Sequence, residues 1–204
     1  MRLLIIFGIV IIFVLWLNYE IRKNNRLSKI KSEEFWAKEA QANMTRKTDI
    51  SNLDYIKIPI DKLPLDDNPD DTINSYRDTI LSQSDKKILN LSSFSNTDLK
   101  LKYGAGNLAQ LSEYDNNFTV LVSTLQKWGE RLYNQGYIKE ALSVLEVAVE
   151  CKTDVSKSYE LLAKIYAEQG APDKIDSLVE ALSHVNIWNK ENLLIKLQNI
   201  KNPI

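Results

Sequence analysis

Few residues in this chain carry reactive side chains at a spacing that chemistry can use. The most suggestive run is Asp66-Asp67-Asn68-Pro69-Asp70-Asp71, in which Asp66, Asn68 and Asp70 alternate like the first ligands of an EF-hand calcium loop. The rest of that loop is missing. Asp71 stands where the turn needs glycine, and Arg77 puts a cation where a bidentate glutamate would close the site. The run reads better as a helix start, with Asn68 as cap, Pro69 in the first turn, and Asp70 and Asp71 facing the positive end of the dipole. That helix is expected to reach about Ser82 and to bury Ile73, Tyr76, Ile80 and Leu81.

The remaining candidates are isolated. His184 falls at the expected end of a helix, where it complements the dipole or faces solvent. Cys151 is the lone cysteine, so the chain can form neither an internal disulfide nor a cysteine-based zinc site, and no histidine lies nearby in sequence to activate the thiol. Gly104-Ala105-Gly106 lacks the Lys-Ser/Thr ending of a phosphate loop and reads as a hinge or tight turn. No catalytic, cofactor-binding or metal-binding residue is therefore expected. An enzyme with its site in residues 86–117 remains the weaker alternative.

The elements that would position a binding surface are more legible. With 44% hydrophobic and 26% charged residues over 204 positions, the chain suits one ordinary folded domain with appendages. The net charge of −1 provides no global field for nucleic acid, which is excluded as a partner. From Leu3 to Leu17 every residue is Leu, Ile, Val, Phe or Trp except Gly8. Residues 1–19 as a helix span about 28 Å, close to the ~30 Å hydrocarbon core of a bilayer. No small-residue cleavage site follows the run, and Trp16 and Tyr19 suit the lipid–water interface. A single-pass anchor in the plasma membrane is expected. Arg22, Lys23, Arg26, Lys29 and Lys31 outnumber the amino terminus and Arg2 on the other side, which places the C-terminal part in the cytoplasm. The same cations can touch anionic head groups.

Residues 20–53 continue as a helical stalk to about Met44, free of Gly and Pro, with Ile30, Glu34, Ala37 and Met44 roughly on one face. This stripe is too thin to demand a coiled-coil partner, but a homodimer through the stalk is one expected association. Residues 54–121 form a cap region. It opens with an extended strap, since Tyr55, Ile56, Ile58 and Ile60 favour extended backbone while Pro59 and Pro64 forbid helix and central strand. Around Leu99, Leu101 and Tyr103 the pattern does not separate helix from strand.

Self-comparison supplies the most specific signal. The offset that separates Gly136 from Gly170 also pairs Leu125 with Tyr159, Trp128 with Leu162, Gly129 with Ala163, and Leu132 with Tyr166. Leu125, Trp128, Leu132 and Tyr133, then Leu142, Leu145 and Val149, recur at three and four residues, which gives two amphipathic helices joined by a glycine turn. A helix pair of this pattern, repeating every ~34 residues, resembles the tetratricopeptide repeat (TPR). One unit lies near residues 122–155 and a second near 156–189. The second departs from the pattern by placing Ile175 where the first has Ala141, and Pro172 reads as a first-turn residue. Ile187, Trp188, Leu193, Leu194, Leu197 and Ile200 are expected to form a capping helix that closes residues 122–204. The fold class is thus mostly α: an N-terminal transmembrane helix and a TPR-like α-α superhelix of about two repeats with a cap.

The resemblance implies a scaffold whose first helices line a concave surface for a protein or peptide partner. On that analogy the partner-facing residues are Gln126, Glu130, Tyr133 and Asn134, followed by Lys157, Glu160, Lys164 and Glu168, with Ser123 at the margin. A solvated face laced with four-residue charge pairs is the competing reading of the same side chains. Gln126 and Glu130 stand where the carboxylate-clamp branch of the family has Lys and Asn, so a clamp is not implied. The layout resembles small membrane-anchored tetratricopeptide proteins of Gram-positive bacteria. An outward-facing role in envelope assembly or secretion uses the same fold with opposite topology.

Overall fold

The structure, a computed structural model, describes the backbone of residues 2–202 and, within it, all side chains except those of residues 2–6, 9, 10 and 27. Among the described residues the α-helices are α1 (Arg2–Met44), α2 (Asp71–Leu81), α3 (Asn96–Tyr103), α4 (Leu108–Asn134), α5 (Ile138–Glu150), α6 (Ser156–Glu168), α7 (Asp173–Ser183) and α8 (Lys190–Lys201). Among the described residues there is no strand, and no helix is long and apolar enough to cross a membrane. The side chains of Leu3, Leu4, Ile5, Ile6, Ile9 and Val10 in the apolar run, together with Met1 and the Arg2 side chain from the charge comparison, lie outside what is described. The chain divides into two compact units, residues 1–49 with 95–108, and residues 50–94 with 109–204. Residues 95–108, read from sequence with the cap region, therefore group with α1.

The first unit is built on a long helix. The 43 residues of α1 extend about 65 Å at 1.5 Å each. Its last turns receive α3, which begins at a capping box: the Ser95 side chain accepts from the Asp98 backbone N–H, and the Asp98 carboxylate accepts in return from the Ser95 backbone N–H. Lys38 Nζ donates to Asp98 Oδ1 at 2.8 Å, and Thr97 Oγ1 donates to Glu39 Oε2 at 2.7 Å. Lys100 Nζ donates to Glu39 and, at 2.8 Å, to Asn43 Oδ1. Lys38, then Ser95, holds the Asp98 carboxyl down at about 2; Lys100, then Thr97, lowers that of Glu39. At Gly104 the backbone takes φ +89° and passes close to the Arg46–Lys47 peptide, where a side chain has no room. The glycine pair is thus a tight turn, as its composition suggested.

The second unit holds the main core, which runs from Leu63 and Ile73 through Phe118, Leu125, Trp128 and Leu145 to Leu182, Leu193 and Leu197. The strap lies against it: Ile56, Ile58 and Ile60 pack on the core, Ile56 N donates to Ile88 O at 3.0 Å, and a 3-10 turn spans Ile60–Lys62. Helix α4 begins at Leu108, well ahead of the expected repeat boundary at Val122, because Leu111, Tyr114, Phe118, Leu121 and Leu125 extend its buried face backward. Helix α2 starts later than expected. Its cap is Asp70, whose carboxylate accepts from Thr72 N at 2.8 Å, whereas Asn68 accepts from Asp70 N and holds Asn74. Of its expected core residues Ile73 and Ile80 are buried, Tyr76 is half-buried, and Leu81 is exposed because it falls outside the arc that faces the core.

The sequence period is written into the backbone. At the end of α4, Gly136 N donates to Tyr133 O at 3.0 Å and Tyr137 N to Leu132 O at 3.0 Å; at the end of α6, Gly170 N donates to Ala167 O at 3.0 Å and Ala171 N to Tyr166 O at 2.9 Å. Both are Schellman caps with glycine at the left-handed position, φ +85° and +68°. Helix α6 packs on α5, α7 and α8. Helix α8 begins one repeat length after α6 and keeps its inward pattern, with Leu193 and Leu197 buried like Tyr159 and Ala163. It differs where α6 buries Ser158, Leu162 and Ile165: Asn192, Lys196 and Asn199 stand there, all exposed, so α8 does not bury this face. Ile187 and Trp188 precede α8 and do not belong to it. Trp188 is 93% exposed, contrary to its expected place in a packed cap, while Ile187 is buried.

Candidate functional site

Helices α4, α6 and α8 present side chains to a common open groove of about 390 Å³. Gln126, Glu130, Tyr133 and Asn134 reach it from α4, and Lys157, Glu160 and Lys164 from α6. These are seven of the eight residues proposed from sequence. The eighth, Glu168, does not line the groove but bonds to residues that do: Tyr133 OH donates to Glu168 Oε1 at 2.8 Å, and Lys164 Nζ lies 3.9 Å from the same oxygen. Two lining residues were missed, Leu161 and Ile200, both half-buried. A signal for Ile200 existed, since it stands one repeat length beyond Tyr166.

The register of the helices explains why these side chains converge. Gln126, Glu130, Tyr133 and Asn134 recur at three and four residues, as do Lys157, Glu160, Leu161 and Lys164, so each set occupies one stripe of its helix while the buried stripe faces the core. Close approach of α4 and α5 depends on Gly129, where an added Cβ would sit 2.8 Å from Leu145 Cδ2. The groove charges are partly spent on one another. Gln126 Nε2 donates to Glu130 Oε2 at 2.8 Å, and Lys196 Nζ on α8 donates to Glu160 Oε1 at 2.8 Å. Lys164 Nζ stands 5.0 Å from the Tyr133 ring centroid, and the Tyr133 hydroxyl, then Glu168, raises its pKa, so it remains a cation at physiological pH. The result is an apolar floor of Leu161, Ile200 and the Tyr133 ring beneath mixed charges. Such a surface can seat apolar side chains of a peptide while the rim orients its charges.

The other sequence candidates offer no reactive arrangement. Cys151 caps α5 and is buried, and desolvation, then Glu150, pushes its thiol up to about 12. His184 is exposed at the end of α7. Two carboxylates of the calcium-like loop are engaged by protein donors: Asp67 Oδ1 accepts from Arg77 at 2.7 Å, and Asp70 Oδ2 accepts from Arg131 Nε at 2.7 Å and from Gln135. Among the described residues no group of three or more His, Cys, Asp or Glu is placed to hold a metal.

Asp70 joins α2 to α4, and its carboxyl is held at about 2 by the Arg131 guanidinium, then by the Thr72 N–H. A depressed folded-state value stabilises the fold in full above the unfolded value of about 4, and that contribution is lost as pH falls through about 2. Asp70→Asn is therefore expected to lower the urea midpoint at pH 7, with the gap to wild type closing as the pH is brought from about 4 toward 2. A gap that stays constant across this range would remove Asp70 from the acid response.

No protein-family model, no curated protein and no solved structure matches this chain.

Proposed function

We propose that this chain is a membrane-anchored scaffold that binds a protein partner through tetratricopeptide-like helices and performs no chemistry itself. The observation that carries the reading is the convergence of two helical stripes, one repeat length apart in sequence, on one groove with an apolar floor. Supporting it are the matched Schellman turns at Gly136 and Gly170 and the small residues Gly129 and Ala163 at equivalent close-packed positions. The stacked helix pairs form a short α-α superhelix closed by α8. A buried, weakly acidic thiol and an exposed lone histidine fit binding better than catalysis.

The anchor is residues 3–17, apolar but for Gly8, and every side chain from Ile11 to Leu17 is more than two-fifths exposed in the isolated chain. A continuous exposed apolar surface of this kind calls for a nonaqueous environment. The cations that follow it hold the C-terminal part on the cytoplasmic side.

The occupant proposed for the groove is an amphipathic helix of the partner, its apolar side chains on Tyr133, Leu161 and Ile200. A photo-crosslinking residue introduced at Glu130 in the full-length chain is expected to give a defined adduct in the native membrane, and the same residue at exposed Glu180 on α7 is expected to give none. Pairing Tyr133→Ala with Lys157→Glu should reduce that adduct about tenfold, equivalent to about 1.4 kcal/mol of binding. Identical adducts from Glu130 and Glu180 would refute groove binding.

A further inference from the structure

A second surface on α1 is organised by charge. Tyr19, Arg22, Lys23, Arg26 and Ile30 line one shallow concavity of about 520 Å³ immediately after the apolar run. Their spacing of three, four, seven and eleven residues from Tyr19 places them within an arc of about 100° on one side of the helix. The charges on this face are unequally engaged. Lys23 lies 3.7 Å from Glu20, whereas Arg22 and Arg26 have no ion pair among the described residues. Lys29, which pairs with Glu33 at 4.0 Å, is not among the lining residues. From Arg22 to Lys31 there are five cations and no carboxylate.

Two guanidinium groups one helical turn apart are suited to a phosphate oxyanion, because each offers a planar fork of donors and neither can be deprotonated. Tyr19, at the end of the face next to the apolar run, suits the boundary between acyl chains and head groups. We infer that Arg22 and Arg26, assisted by Lys23, form a binding site for the head group of an anionic phospholipid in the leaflet the helix leaves through. The site selects lipid by charge at one side of the helix. The inference rests on reading residues 3–17 as a membrane segment.

The test uses the full chain reconstituted in phosphatidylcholine vesicles that contain either brominated phosphatidylcholine or brominated phosphatidylglycerol, with quenching of Trp16 as the readout. Trp16 is 56% exposed and three residues from Tyr19, and its contribution is isolated by subtracting a Trp16→Phe variant. The anionic lipid is expected to reach half-maximal quenching at a mole fraction at least about threefold below the zwitterionic one, because head-group attraction to basic residues concentrates it beside the helix. In Arg22→Gln/Arg26→Gln the two curves should coincide. Coincident curves for the unaltered chain would overturn the head-group site and leave the membrane segment standing. Absence of quenching by either lipid would overturn the membrane segment, and the site with it.

Discussion

Gly104→Ala is expected to undock α3 from α1. An added Cβ would lie 2.6 Å from the Lys47 Cα and closer still to the Arg46 carbonyl, and these are backbone atoms that no rotamer change can move aside. The φ of +89° adds strain for any L side chain. Together the two effects should cost at least about 3 kcal/mol, at the high end for a single substitution. The measurement is amide hydrogen exchange. Thr48 N donates to Tyr103 O at 3.0 Å and Ala105 N to Thr45 O at 3.3 Å, and protection of both amides should disappear. Protected amides at Thr48 and Ala105 in the variant would show that the close approach at Gly104 is not needed for docking.

Gly129→Val should be the second severe change. Gly129 is buried in α4 against Leu145, and its added Cβ would meet Leu145 Cγ and Cδ2 at 2.8 Å before the two valine methyls are counted. Leu145 is fully buried and has nowhere to retreat. Overpacking of this kind costs about 1–3 kcal/mol, and the β-branched side chain places this case near the top of that range. Combining it with Leu145→Ala should recover part of the loss, since the truncation vacates the space that the valine needs. Additive destabilisation in the double variant would mean that α4 and α5 do not meet there.

The legible part of this fold is the part whose packing is local. Gly136 and Gly170 mark their turns because only glycine takes those φ values cheaply, and Gly129 signals a close helix crossing because nothing larger fits. The groove residues followed from the same register, which a sequence shows directly as recurrence at three and four. Leu161 and Ile200 differ from the expected groove residues in being aliphatic, which by composition assigns them to the packed face of their helices. Around α3 the alternation of Leu99, Leu101 and Tyr103 imitates a strand, and the better signal was the Ser95-x-x-Asp98 pattern at its start. The start of α4 is likewise marked by Leu111, Tyr114 and Phe118, which carry its apolar stripe ahead of the repeat unit that begins near Val122. Trp188 departs from expectation for a different reason: it precedes α8, and its apolar character does not place it on the buried face of that helix.

The divided make-up of the first unit bears on the chain entropy lost in forming it. Helices α5 to α8 pack on one another, and each of those contacts joins helices that are adjacent or next but one along the chain. The α1–α3 clasp has no such short connection, because residues 50–94 separate its two halves and that loop must close before any of the bonds at Glu39, Asp98 or Thr48 can form. Each bond of the clasp on the long helix therefore carries the entropy of closing that loop, a cost that the contacts among α5 to α8 do not share.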